Sequence, residues 1–150
     1  MKKILILLLF LLTSCGFQPL YKVNNNTEDF KIQKIEFIGN KSLAKKIYLG
    51  LPIKIVKNDT SLNKLIINTN KDIIETSKNS NGQVESYRTL ITTKLSFINN
   101  KNETVREITL NKNFLYGVKE NKFKFKEYQI EIENNLIYKI REDLIIFLNS

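Results

Sequence analysis

Apolar residues recur along this chain in three rhythms, and each rhythm predicts a different element. The first is an unbroken run of nine, Ile4 to Leu12, behind the cations Lys2 and Lys3 and ahead of Thr13, Ser14 and Cys15. A helix needs roughly 20 apolar residues to cross a hydrocarbon core, so the run is too short for a permanent transmembrane anchor and has the layout of a secretory signal peptide over residues 1–14. The polar stretch Asn24 to Asp29 shows no periodicity and reads as a tether, which places the start of the fold near Phe30.

The second rhythm is alternation. Phe30 to Ile38 reads as one strand closed by the turn residues Gly39 and Asn40. Leu65 to Thr76 reads as a second, with a polar middle at Asn68 to Asp72 where a bulge or irregularity is expected. A third places Tyr87, Thr89, Ile91, Thr93, Leu95 and Phe97 on one face, with Arg88, Thr92, Lys94 and Ser96 on the other. A fourth points Ile108, Leu110, Phe114 and Tyr116 one way and Glu107, Thr109, Asn111 and Asn113 the other. The intervening runs Asn79-Ser80-Asn81-Gly82 and Asn99-Asn100-Lys101-Asn102 are turn formers, so the last three strands form an antiparallel meander.

The third rhythm is helical. Ser42 precedes Leu43, Ala44, Ile47, Tyr48 and Leu51, with Lys41, Lys45 and Lys46 on the opposite side, until Gly50 and Pro52 end the pattern. From about Lys126, Ile130, Ile137, Ile140, Leu144 and Phe147 recur at three-, four- or seven-residue spacing among charged residues, which predicts a long C-terminal amphipathic helix. Its polar face is acidic as much as basic, so packing on the sheet is preferred to membrane insertion. The expected fold is α+β, strand-helix-three strands-helix, a four-stranded sheet with both helices packed on one face.

Composition narrows the chemistry. Without its first fourteen residues the 150-residue chain keeps 136, enough for one core, and residues 30–150 read as a single α+β domain. The net charge of +9 drops to +7 with the loss of Lys2 and Lys3, which favours an anionic partner or surface, although the abundance of Asn, Lys and Ile weakens that inference. There is no His, a single Cys and no Gly-rich phosphate loop among five glycines, so His-dependent triads and most zinc sites are excluded. The carboxylate pairs Glu131/Glu133 and Glu142/Asp143 fall on a helix flank and read as solvated surface. The expectation is a non-enzyme with no catalytic residues, no metal, no dissociable cofactor and no nucleic-acid partner.

The Leu12-Thr13-Ser14-Cys15 sequence resembles the bacterial lipobox. That resemblance implies cleavage between Ser14 and Cys15, an S-diacylglycerol thioether and an N-acyl chain such as palmitate on Cys15, and membrane attachment of residues 15–29 as a lipidated N-terminus and tether. Several acyl chains, at about 0.8 kcal/mol per buried methylene, hold effectively permanently. Gly16, where some lipoproteins carry Asp, implies the periplasmic face of the outer membrane.

Cys15-Gly16-Phe17-Gln18-Pro19-Leu20-Tyr21 resembles the mature start of LptE-like lipopolysaccharide-assembly lipoproteins in their alphaproteobacterial form, and the predicted element order is similar to that family's fold. The resemblance implies a partner, the large LptD-like outer-membrane β-barrel that inserts lipopolysaccharide, with the lipoprotein seated inside it as a plug, and binding of lipopolysaccharide itself. Lipid phosphates call for clustered Lys and Arg, for which Arg88, Lys94, Arg106 and Lys112 are candidates. Arg106 and Lys112 share the parity of the apolar residues, so only some of the four can share a face; solvated sheet-edge charges are the alternative. Phe17, Leu20, Tyr21 and Tyr116 are candidate partner contacts, with a core position the alternative for Tyr116. A pilotin or assembly-accessory lipoprotein for another outer-membrane complex is the competing reading. A periplasmic enzyme or glycan-binding lipoprotein would need a deep polar pocket that no motif announces.

Overall fold

The computed structural model describes residues 30–56 and 62–150. Cys15 and the other candidates on residues 14–21 lie outside them. The described chain runs β1 (Phe30–Ile32), β2 (Lys34–Gly39), α1 (Lys41–Tyr48), β3 (Ile53–Ile55), β4 (Leu62–Lys78), β5 (Val84–Asn99), β6 (Thr104–Gly117) and α2 (Lys122–Asn149). A four-stranded sheet has the order β2-β4-β5-β6, and β1 pairs with β3 in a separate two-stranded sheet. The α+β architecture is as expected, including the antiparallel meander β4-β5-β6.

Three local differences have physical causes. The strand anticipated over Phe30–Ile38 divides at Gln33, because β1 pairs in parallel with β3 while β2 pairs in parallel with β4. The partner of β1, Ile53-Lys54-Ile55, is too short to carry a readable period. The polar middle of β4 is regular: its register with β5 runs unbroken from Lys64 to Glu75, and the shifts fall at its two ends. Asn68, Asn70 and Asp72 point to the open face of the sheet, where polarity costs nothing.

Gly39 ends β2. Its φ of 70° is left-handed, and a Cβ there would stand 2.4 Å from the Thr69 carbonyl oxygen. The chain therefore turns off the sheet at once, Asn40 N donates to that oxygen at 2.6 Å, and the Asn40 side chain accepts from Leu43 N at 3.1 Å to cap α1. The cap is thus Asn40, two residues earlier than the Ser42 start read from the sequence. Helix α2 begins at Lys122, four residues before its expected start, with Asn121 Oδ1 accepting from Phe123 N and Lys124 N.

The core lies between one face of the large sheet and the two helices. Leu65 and Ile67 of β4, Ile91, Leu95 and Phe97 of β5, Leu43, Ala44 and Ile47 of α1, and Ile132, Leu136, Ile137, Ile140, Leu144 and Leu148 of α2 are buried together. Each such Leu or Ile contributes about 1.5–3 kcal/mol by leaving water. Polar groups on this face are paired: Thr69 and Thr93 hydroxyls sit 3.4 Å apart, and Thr89 Oγ1 is 3.1 Å from Tyr116 Oη. The opposite face presents Asn70, Arg88, Asn111, Asn113, Ile74 and Leu115 to solvent.

Candidate functional site

The strand registers decide what the four candidate phosphate ligands can do together. Tyr87 pairs with Tyr116, Ile91 with Lys112 and Phe97 with Arg106, so Arg106 and Lys112 stand on the helix-covered face while Arg88 and Lys94 stand on the open one. The four therefore do not converge. Arg106 donates through Nη2 to the Phe147 carbonyl and to Ser150 Oγ at 3.0 Å, with its guanidinium 4.2 Å from the Phe147 ring centroid. It is a clamp on the end of α2. Lys112 is 2.6 Å from Asp143 of α2 and Lys94 is 3.0 Å from Glu107. Arg88 alone stands exposed on the open face, across from Ile74 and Leu115.

Tyr116 resolves to the core alternative. It is 3% exposed, its hydroxyl is held by Thr89 and by Gln129 Nε2 at 3.1 Å, and its ring packs with Tyr87, Phe125 and Tyr128 at centroid distances of 6.0–6.1 Å. A side chain so enclosed has no surface left for a barrel wall. The aromatic group instead fastens the N-terminal turns of α2 to the far end of the sheet.

Glu133 also departs from the sequence reading. Rather than standing in solvent, its carboxylate accepts from Lys46 of α1 at 2.8 Å and from Lys71 of β4 at 2.7 Å. Burial alone would raise its pKa, but the hydrogen bonds and charges of the two lysines outweigh burial and hold it below the usual carboxylate range. Three elements are thereby joined at one ionised group.

Two surfaces at the far end of the sheet escaped the sequence reading. One is the β6–α2 junction: between Val118 and Lys124, Phe123 is 83% exposed, Lys119, Lys122 and Lys124 are set against the single acid Glu120, Lys119 lies over the Tyr128 ring, and no acidic residue falls in the first turn of α2. Lysines at the positive end of a helix repel it, so this ridge favours an anion. The available signal was Asn121 as an N-cap, obscured by a Phe123/Phe125 alternation that imitates a strand. The other surface is a shallow trough of about 170 Å³ between β4, β5 and α2, lined by Lys71, Ile73, Thr89, Lys126, Gln129, Ile130 and Glu133. Among the described residues no group of His, Cys, Asp and Glu is arranged to hold a metal ion, and no helix is long and apolar enough to cross a membrane.

No protein-family model and no curated protein matches the chain in sequence. Solved structures do match it in shape. A minor lipoprotein from Acinetobacter baumannii aligns over 80% of this chain and 90% of its own with a TM-score of 0.56 at 9% identity. A Caulobacter crescentus lipoprotein covers 78% and 86% with a TM-score of 0.54 at 9% identity. A homolog of neuraminyllactose-binding hemagglutinin from Helicobacter pylori covers 85% and 87% with a TM-score of 0.58 at 13% identity. The chain shares its fold with these proteins. At such identities the likeness concerns backbone architecture alone and assigns no ligand.

Proposed function

We propose that this chain is an outer-membrane lipoprotein, anchored through lipid on Cys15, that seats in an LptD-like β-barrel and helps it deliver lipopolysaccharide to the cell surface. The observation that carries the reading is the Cys-Gly-Phe-x-Pro-Leu-Tyr sequence that begins at Cys15. The fold supports it indirectly: a one-sided sheet whose open face is mostly polar, with Ile74 and Leu115 as exposed apolar positions, suits a wedge inside a hydrated barrel, and the lipoproteins above have the same architecture. No bond is made or broken. The protein acts by position, with the anchor confining it to the membrane and the sheet occupying space.

If lipopolysaccharide is bound directly, the Val118–Lys124 ridge is better suited than the four strand cations, because it sets three lysines against one glutamate, Glu120, next to an exposed aromatic ring. Mild detergent extraction followed by copurification tests the main reading. Recovery of the lipopolysaccharide-export barrel is the expected result; a secretin or a general barrel-assembly complex in its place sustains the pilotin alternative and refutes ours. Cys15→Ala is expected to lose mature membrane attachment and lower the yield of assembled barrel, and normal attachment of a cleaved mutant would refute anchoring through Cys15.

A further inference from the structure

The large sheet is unequally covered along its length. Strand β2 shields β4 only from Lys64 to Thr69, ending at Gly39, whereas β4 continues to Lys78 with β5 on its other side. Beyond Thr69, therefore, β4 is an edge among the described residues. Its direction is set by one hydrogen bond: the Thr69 carbonyl points toward β2 and accepts from Asn40 N. Backbone groups of residues two apart in a strand point the same way. Because the β4–β5 register is unbroken to Glu75, Lys71, Ile73 and Glu75 must turn their N–H and C=O groups out to this open edge.

The trough lies directly beside that edge. Helix α1 rises from Gly39 over the other half of the sheet and leaves Ile73 of β4 47% exposed, opposite Ile130 of α2, itself 50% exposed. Lys126 borders the same space, the carboxylate of Glu133 is already engaged by Lys46 and Lys71, and Glu75 at the end of the edge is paired with Lys78 at 3.0 Å, so the residual charge facing the trough is positive. Strand groups without a ladder partner among the described residues, an apolar floor and a cation thus adjoin one another.

We infer that the edge of β4 from Lys71 to Glu75 binds an extended strand from a partner polypeptide, one that carries an apolar side chain and, two residues away on the same face, a carboxylate. The backbone of the incoming strand completes the ladder, its apolar side chain covers Ile73 and Ile130, and its carboxylate meets Lys126. Main-chain bonds supply affinity and the two side chains supply selection. A strand with lysine in place of the acid meets Lys126 while the nearby carboxylates of Glu133 and Glu75 are already paired, and is disfavoured. This inference stands apart from the barrel reading, since it concerns how a segment is held and not which protein supplies it.

The test uses the full chain in mild detergent with three synthetic peptides, Thr-Val-Thr-Glu-Thr-Val-Thr-Glu, the same sequence with Lys for Glu, and the same with Ser for Val. Amide exchange read residue by residue is the primary measurement. The first peptide is expected to protect the amides of Lys71, Ile73 and Glu75 and to bind about tenfold more tightly than either control. Ile73→Asp and, separately, Lys126→Glu should each weaken it by about tenfold, with the circular dichroism spectrum unchanged. Protection that appears at β6 instead, equal binding of the lysine peptide, or binding indifferent to both substitutions overturns the inference. So does the absence of any protection at β4 by the acidic peptide at millimolar concentration.

Discussion

Replacing Glu133 with Gln tests whether the fold depends on an ionised group that joins three elements. The side chain is 16% exposed, Lys71 28% and Lys46 47%, so the two bonds are not equal. Hydrogen bonds to charged groups contribute about 1.5–3 kcal/mol when buried, and exposed ion pairs about 0–1 kcal/mol. Taking the Lys71 bond near the lower buried figure and the Lys46 bond near the exposed one gives a loss of about 2 kcal/mol, or about 8 °C in Tm for a domain of this size. The pH dependence has a definite sign. A carboxylate whose folded pKa is depressed contributes stability that is complete above its unfolded pKa and is lost as pH falls through the folded value. The gap between the parent and Glu133→Gln should therefore be full at about pH 7 and narrow steadily below about pH 4.3, the ordinary glutamate range. Thermal melts across that interval, together with a Lys71→Ala/Glu133→Ala double-mutant cycle, provide the measurement. A difference that stays constant with pH, or a cycle with no coupling, would mean that Glu133 acts through helix packing and that the ion pairs contribute nothing.

Tyr116→Phe keeps the ring cluster but leaves the buried Thr89 hydroxyl without its partner, so a loss of about 1–2 kcal/mol in denaturant midpoint is expected, with unchanged m-value. Gly39→Ala forces a Cβ against the Thr69 carbonyl at positive φ, and thermal melting should show it losing at least about 1–2 kcal/mol. Arg106→Ala removes the clamp on Phe147 and Ser150; faster amide exchange confined to the last turns of α2 is the expected signature, and no change there refutes the assignment. Phe123→Ala, at a side chain mostly in solvent, should alter stability by less than about 0.5 kcal/mol, so any loss of lipopolysaccharide retention on that variant reports on binding and not on folding.

The meander and both helices were legible because each buries one periodic face, and the period survives in the residue pattern. The parity of Arg106 and Lys112 was legible too. Its meaning was not, since Asp143 and the Phe147 carbonyl that satisfy them belong to an element some thirty to forty residues further on. Glu133 is the same problem over a longer reach, with partners 62 and 87 positions away in sequence. β3 left no trace because three residues cannot display an alternation, and β1 was merged with β2 because only pairing partners distinguish them. The trough exists where α1 is absent, and no local pattern records where a helix does not lie.

The pairing of β1 with β3 also sets what resists a pull on the start of the domain. Whatever pulls on the segment preceding Phe30 acts first on a ladder three residues long, from Phe30↔Ile53 to Ile32↔Ile55. That ladder is separate from the large sheet, but its side chains are not: Ile32 is buried in the common core and the Phe30 ring packs on Phe97 of β5 at 5.5 Å. Traction there is met by apolar burial as much as by backbone pairing, because freeing β1 draws the wholly enclosed Ile32 into water.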